Sequence, residues 1–249
     1  MRLGLSLLFL CVSLPLIAFL AACESTQSKS KRLAKQAKGL VREQGLVVRK
    51  QNRSVKVPFT TAVQDANGTA VVVTLRNVAT RALANLPVSI DVVGSGGRSV
   101  FRNNLPGLDP SLTHVSLLKP KRSLVWVNDQ VNATGKPQRV KVKVGSASAS
   151  VPKAVPKITI SGVRLRIDPV DGPEAVGAVA NRSSVEQRKL VIFGVSRRGG
   201  RVVAAGRAIV NRLKAHKRAR FQMFFIGDPR GGRISVSAPP SVLRKGARS

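Results

Sequence analysis

The chain is poor in the residues from which most enzyme and metal sites are built. Its 249 residues include two cysteines, two histidines, 11 acidic side chains, no tyrosine, and only 4% aromatic residues. No cysteines or histidines have the spacing of a metal site, and no nucleophile elbow, phosphate-binding loop or dinucleotide fingerprint occurs. The sequence predicts a protein that is not an enzyme and needs no cofactor or metal. A hidden enzyme would require a polar cleft assembled only by the fold.

The scarcity of cysteine also limits how the chain can be stabilised. Both cysteines, Cys11 and Cys23, lie in or beside the N-terminal apolar segment, so no disulfide can link parts of the remaining chain. With 43% hydrophobic residues, a chain of this length has enough apolar material for one large domain or two small ones without such a link.

Acidic residues are so few that the 43 lysines and arginines leave a formal net charge of +32. A charge of this size attracts anionic surfaces and polymers. The few aromatic residues do not interleave with the basic clusters, so we expect no base-stacking platform and no nucleic-acid partner. Two explanations of the charge stay open. One is contact with anionic lipid or a cell-wall polymer, and the other is a general preference for basic residues on a solvated surface.

The N-terminus has the organisation of an export signal. Met1-Arg2 is followed by an apolar run from Leu3 to Ala22, which contains Pro15. A positive start, an apolar centre and small residues at the end are typical of a signal that is removed. An uncleaved membrane anchor is the alternative, because about 20 apolar residues can cross a bilayer.

The apolar run ends in Leu20-Ala21-Ala22-Cys23. This sequence resembles the lipobox of bacterial lipoproteins, in which a leucine and two small residues precede the cysteine that accepts a lipid. Cys11 follows the bulky Leu8-Phe9-Leu10 and does not fit the pattern. The resemblance implies that residues 1–22 are removed as a signal peptide. It also implies that a diacylglycerol group on Cys23 anchors an extracytoplasmic protein to a membrane.

Residues 23–44 predict a basic tether. Their low hydrophobicity and high charge favour disorder. Leu33, Ala37, Leu40 and Val41 share one face of a short helix at helical spacing, and such a helix could lie on an anionic membrane. A solvated linker kept extended by its lysines is the alternative.

From residue 45 onward, short apolar runs alternate with glycine, proline, asparagine and aspartate, a pattern that predicts β-strands. In Val140-Lys141-Val142-Lys143-Val144 the valines alternate with lysines, as in a strand with one buried face. The pattern repeats after roughly 100 residues, with four features in the same order. These are a strand ending at Asn77 or Asn181, a Gly-Gly turn at 96–97 or 199–200, a basic loop at 118–122 or 213–218, and an apolar strand at 124–127 or 221–226.

Each repeat resembles the bacterial immunoglobulin-like modules of the FxLYD and CARDB kind. Asn77 and Asn181 match the strand-ending asparagine, Leu118 and Leu213 match the leucine before the polar loop, and the tyrosine that names FxLYD is absent. The resemblance and the strand pattern predict an all-β protein with two tandem immunoglobulin-like antiparallel β-sandwich domains after an N-terminal signal helix and tether. The predicted boundaries are 45–145 for the first sandwich, 146–156 for a linker, 157–243 for the second sandwich and 244–249 for a tail.

Three groups of residues are candidates for surface contacts or chemistry. The acidic cluster Asp168, Asp171 and Glu174 could bind Ca²⁺ weakly, but its two prolines and glycine favour a turn. His114 and His216 lie beside the repeated basic loops and predict ordinary surface histidines. The candidate contacts for an anionic surface are Lys119, Lys121, Arg122, Arg212, Lys214, Lys217, Arg218 and Arg220.

Together these patterns predict a lipid-anchored protein of the cell envelope. We expect it to act as a binding or scaffolding module of the cell surface or periplasm, with an unidentified envelope protein as a further partner. The alternative is a ligand-binding subunit of a larger envelope or transport system, which a large apolar pocket would favour.

Overall fold

The computed structural model describes residues 45–168 and 172–244. The predicted signal peptide, Cys23 and the tether lie outside these residues. The described part contains no α-helix, which confirms the prediction of an all-β protein, and it has two short 3-10 turns at Ser95–Gly97 and Pro110–Leu112. The strands are β1 (Val55–Asp65), β2 (Gly68–Asn77), β3 (Leu83–Val93), β4 (Ser99–Arg102), β5 (His114–Leu118), β6 (Ser123–Asn128), β7 (Arg139–Val144), β8 (Ile158–Asp168), β9 (Gly172–Asn181), β10 (Gln187–Arg198), β11 (Arg201–Leu213), β12 (Arg218–Phe224), β13 (Ile226–Gly227) and β14 (Arg233–Ser237).

The strands form the same two antiparallel sheets in each repeat. In the first repeat, β1-β2-β6 make one sheet, while β3 pairs with β4, β5 and β7 in the other. In the second repeat, β8-β9-β12 make one sheet and β13-β11-β10-β14 the other. The long strand β11 takes the place of β4 and β5, and β14 takes the place of β7. The sequence repeat is therefore also a repeat of strand order.

The strand-ending asparagines explain part of the repeated pattern, because each one closes the same turn. Asn77 is fully buried, and its Nδ2 donates to the carbonyls of Arg81 at 2.8 Å and Leu118 at 3.3 Å. Its Oδ1 accepts from the Ala79 N–H at 2.9 Å. Asn181 makes the equivalent three bonds in the second repeat, to Val185, Leu213 and Ser183, and its Nδ2 also donates to the carbonyl of Lys214. An amide side chain is needed here because it both donates and accepts.

The two repeats stack on each other through a shared apolar core. Along β10, Leu190 and Ile192 pack into the core of the second repeat, whereas Val191, Phe193 and Val195 pack into the core cluster of the first. The sheet of β10 and β11 thus covers the outer face of β1-β2-β6, and the described chain has four layers. Strand β2 is buried on both faces, which accounts for its continuous apolar run at 70–73.

Polar contacts also join the repeats. Arg207 on β11 contacts Asp129 after β6, with Nε and Oδ1 2.7 Å apart, and its backbone N–H donates to the other carboxylate oxygen at 3.0 Å. The Gly227 N–H donates to Asp65 Oδ2 at 2.7 Å. Independent folding of the second repeat stays a prediction, and the structure adds that separation would expose the apolar outer face of β10.

Candidate anion-binding surface

The structure places the predicted contact residues in two different settings. Lys119, Lys121 and Arg122 are exposed in the loop between β5 and β6. The predicted contacts between Arg212 and Arg220 do not all lie in a loop, because β11 continues to Leu213 and β12 begins at Arg218. The loop proper is 214–217, which carries Lys214 and Lys217. The predicted residues Arg212, Arg218 and Arg220 lie on strands.

The two basic loops are equivalent and tightly held by their backbones. Lys121 and His216 occupy the same position with φ of 52° and 56°, and their N–H groups donate to the carbonyls of Ala79 and Ser183, both at 3.2 Å. Arg212 is already paired, since its Nε lies 3.0 Å from Glu186 Oε2, and this hydrogen bond lowers the pKa of Glu186. Lys119, Arg122, Lys214 and Lys217 are exposed, so both loops present charge to solvent.

Four arginines converge on the outer face of the sheet β8-β9-β12. Arg164 and Arg166 stand on β8, Arg218 and Arg220 stand on β12, and β9 runs between them. They line an open depression of 540 Å³ whose floor contains Val176, Gly177 and Ala178. We call this depression the arginine groove, defined by Arg164, Arg166, Arg218 and Arg220.

Small residues and a bulge give the groove its shape. At Gly177 a Cβ would lie 2.8 Å from the ring of Phe221, so the glycine leaves room for this core side chain directly beneath the floor. In β8 the register shifts between Ser161 and Arg164, where Gly162 adopts a φ of 63°. After this bulge, Arg164 and Arg166 pair with the outward positions of β9.

The arginines of the groove differ in how far their charge is compensated. Arg164 and Arg220 have no ion pair within residues 45–168 and 172–244. Arg218 donates to Ser161 Oγ at 3.0 Å. Arg166 forms an ion pair with Glu174, which is fully buried and whose Oε2 has no hydrogen-bond partner in the described part of the chain. The groove thus keeps a strong positive charge that faces solvent.

Sequence reasoning found half of this groove. Arg218 and Arg220 were predicted as contacts, but Arg164 and Arg166 were not, although Arg164-Leu165-Arg166 shows the alternation of a strand with an arginine-bearing face. The sequence suggests Glu174 either as a weak Ca²⁺ ligand or as a turn residue. The structure instead places it in strand β9, where it forms an ion pair with Arg166. No group of three or more potential metal ligands occurs among the residues that the structure describes.

A second concave feature lies between the two repeats. This cleft of 260 Å³ is lined by Asp109, His114, Lys189, Phe193 and Pro239, among others. Lys189 Nζ and Asp109 Oδ2 are 3.5 Å apart across it. Partial burial acts to raise the pKa of Asp109, but hydrogen bonds from Ser111 and the charge of Lys189 outweigh it and lower the pKa.

His114 gives this cleft a pH-dependent contribution to stability. Burial lowers the pKa of His114 below its ordinary value of 6.5. The unfolded chain therefore takes up this proton at a higher pH than the folded chain. We expect the free energy of unfolding to fall as the pH is lowered through 6.5, and to level off below the folded pKa.

Urea unfolding at about pH 7.5 and about pH 5.5, where most carboxylates stay ionised, measures this change. The His114→Gln variant is expected to lose the dependence. His216→Gln, in an exposed turn, is expected to keep it. If the His114→Gln variant kept the same difference in unfolding free energy between the two pH values, the assignment of this pH dependence to His114 would be wrong.

No helix in the described ranges is long and apolar enough to cross a bilayer. Comparison with models of protein families gave no match, and a search of curated proteins found none similar to this chain.

Proposed function

We propose that this chain is a lipid-anchored, extracytoplasmic protein of the cell envelope that works as a non-enzymatic binding or scaffolding module. The observation that carries the proposal is the arginine groove. Four arginines line one open depression on an exposed sheet face, and only Arg166 among them forms an ion pair within the described residues, with Glu174. A solvated surface gains nothing from gathering like charges, because neighbouring arginines repel one another. An anionic partner that binds between them would offset this repulsion.

The lipobox at Leu20-Ala21-Ala22-Cys23 supports the anchor. Lipid on Cys23, together with the basic tether 23–44, would hold the module close to a membrane, since a single acyl signal binds weakly and a polybasic segment adds to it. In this proposal the tether contacts anionic lipid. The module, acting as a scaffold, binds an unidentified envelope protein.

Replacing Cys23 by alanine is expected to release the protein from the membrane fraction or to leave the signal uncut, because the lipid-accepting thiol is lost. Mass spectrometry of the mature N-terminus measures the modification, and membrane fractionation measures the attachment. Cys11→Ala is the matched control and is expected to change neither. An unmodified Cys23, or cleavage at another site, would overturn the anchor.

A ligand-binding subunit of a larger envelope or transport system is the second candidate. The cleft between the repeats favours it, because it combines Phe193 and Pro239 with the charged pair Asp109 and Lys189. Its volume of 260 Å³ is below the roughly 300–1,000 Å³ of most small-molecule pockets. We therefore rank a ligand-binding subunit below a binding module that uses the arginine groove.

A further inference from the structure

We propose that the arginine groove binds a linear phosphodiester polymer, whose successive phosphates lie along β9 between the two arginine walls. This inference rests on the proposed function and names the chemistry of its anionic partner. It is independent of the lipid anchor, because every residue of the groove lies on β8, β9 or β12.

The spacing of the arginines fits an extended chain of charges. On each wall the two arginines are two residues apart, which corresponds to about 7 Å along a strand. The walls stand on β8 and β12, which flank β9, so their backbones are about 10 Å apart. Arg166 and Arg164 pair with the 174–176 end of β9, and Arg220 and Arg218 pair with its 178–180 end. The groove is therefore elongated, with its four arginines staggered along β9. A linear polymer can satisfy these positions one after another, whereas a single small anion would occupy only part of them.

The two-sided arrangement favours phosphate over carboxylate. Guanidinium groups bind both anions through paired hydrogen bonds. In a linear phosphodiester each anionic group is part of the polymer backbone, so its two free oxygens project from the chain itself, whereas the carboxylates of an acidic polypeptide are on side chains. A phosphate above the floor of Val176 and Ala178 can therefore accept from Arg164 on one wall and Arg220 on the other. Neither arginine has an ion pair among the described residues.

The stacking of the repeats argues against a second copy of this chain in the groove. The equivalent face of the first repeat, on β1-β2-β6, is apolar and receives the second repeat. A second copy docking in the same way would bring its own β3-β7 sheet to the groove. The outer face of that sheet carries three basic residues, Arg102, Lys141 and Lys143, and the acidic residue Asp91. Its charge is therefore also positive. Like charges would meet, so the four-layer stack ends at the groove.

The shape of the groove argues against a flat membrane as its occupant. The floor residues are recessed and half-buried, while the arginines around them are exposed. A planar bilayer would meet the rim of such a depression and leave its floor solvated. A polymer one chain wide can enter it.

The test uses the chain from residue 24, which has no lipid and keeps every described residue, with a glycerol-phosphate oligomer as the probe in calorimetry. The groove variant is Arg164→Gln/Arg218→Gln/Arg220→Gln, which spares the ion pair of Arg166 with buried Glu174. We expect its affinity to fall about 30- to 100-fold, from the loss of three charge-assisted contacts.

The matched control Lys119→Gln/Arg122→Gln/Lys217→Gln removes the same charge from the exposed loops and is expected to lose less than about threefold, because distant charges are screened. The variant Arg164→Lys/Arg218→Lys/Arg220→Lys keeps the charge but not the paired geometry. We expect it to lose most of the affinity. Unchanged melting temperatures would show that all three variants are folded.

Several results would overturn the inference. Equal losses in the groove and loop variants would mean that the charge acts diffusely. Equal affinity for polyglutamate would contradict the preference for phosphate, and groove-dependent binding to phosphatidylglycerol vesicles without binding to the oligomer would assign the groove to the membrane. A groove-dependent dimer in sedimentation would assign it to a second copy. None of these results depends on lipidation of Cys23. If the groove does not bind the oligomer, the proposed lipid anchor is still tested separately by the Cys23→Ala variant.

Discussion

Replacing Asp129 by alanine is expected to lower the free energy of unfolding by about 3–5 kcal/mol. Asp129 accepts from both the Nε and the backbone N–H of Arg207, and the Arg207 side chain is only 3% exposed. Without the carboxylate, this guanidinium stays buried between the repeats. Among the described residues, its remaining side-chain partner is the hydroxyl of Ser111, 2.9 Å from its Nη1. Chemical unfolding monitored by the fluorescence of Trp126 measures the loss.

A second variant separates the buried charge from the rest of the interface. In Asp129→Ala/Arg207→Met no charge is left buried, and we expect most of the lost stability to return. Asp228→Ala removes an exposed partner of Arg230 and is expected to leave stability unchanged within error. If Asp129→Ala behaved like Asp228→Ala, the contact between the repeats would not contribute to stability as the structure indicates.

Truncating Phe221 to alanine is expected to cost about 3–5 kcal/mol, the range for a large side chain removed from a packed core. Phe221 is 6% exposed and packs with Met223 and Phe225 in the core of the second repeat. Its ring also lies against Gly177, the floor of the arginine groove, so that the cavity would open beneath the groove. Thermal and chemical unfolding measure the change.

Phe224 is the matched control for this truncation. It lies on the same strand but is 47% exposed, because side chains alternate along a strand. Phe224→Ala is expected to change stability by about 0.5 kcal/mol or less. Similar losses in both variants would mean that β12 does not present alternate faces to core and solvent.

Local patterns predicted the strands because their information is contained in neighbouring residues. The alternation in β7 correctly placed Val140 and Val144 inside and Lys141 and Lys143 outside. Alternation places Phe221 and Phe224, three residues apart on β12, on opposite faces of the strand, and the structure shows that Phe221 is the buried one. The turns at Asn77 and Asn181 recur because the same side-chain bonds close them in both repeats.

The candidate site was predicted only in part, because its parts are distant in sequence. Arg166 and Arg220 are 54 positions apart in the sequence, and only the pairing of β8 and β12 with β9 brings them to one face. Density of charge along the sequence directed attention to the loops instead. The alternating arginines of β8 carried the missing signal, but their face could not be assigned before the bulge at Gly162 was known.

By itself, the sequence determined that this protein is all-β, that its strand pattern repeats, and that its charge is strongly positive, because propensity, alternation and composition act over a few residues. Only the tertiary structure decided that the second repeat covers the first. Along β10, alternate residues face two different cores, and a run that is apolar at every position does not reveal which face meets which partner. Tertiary packing likewise buried Glu174 beside Arg166 and left the four arginines around one groove, since β12 reaches this face by pairing with β9 across 38 to 50 residues.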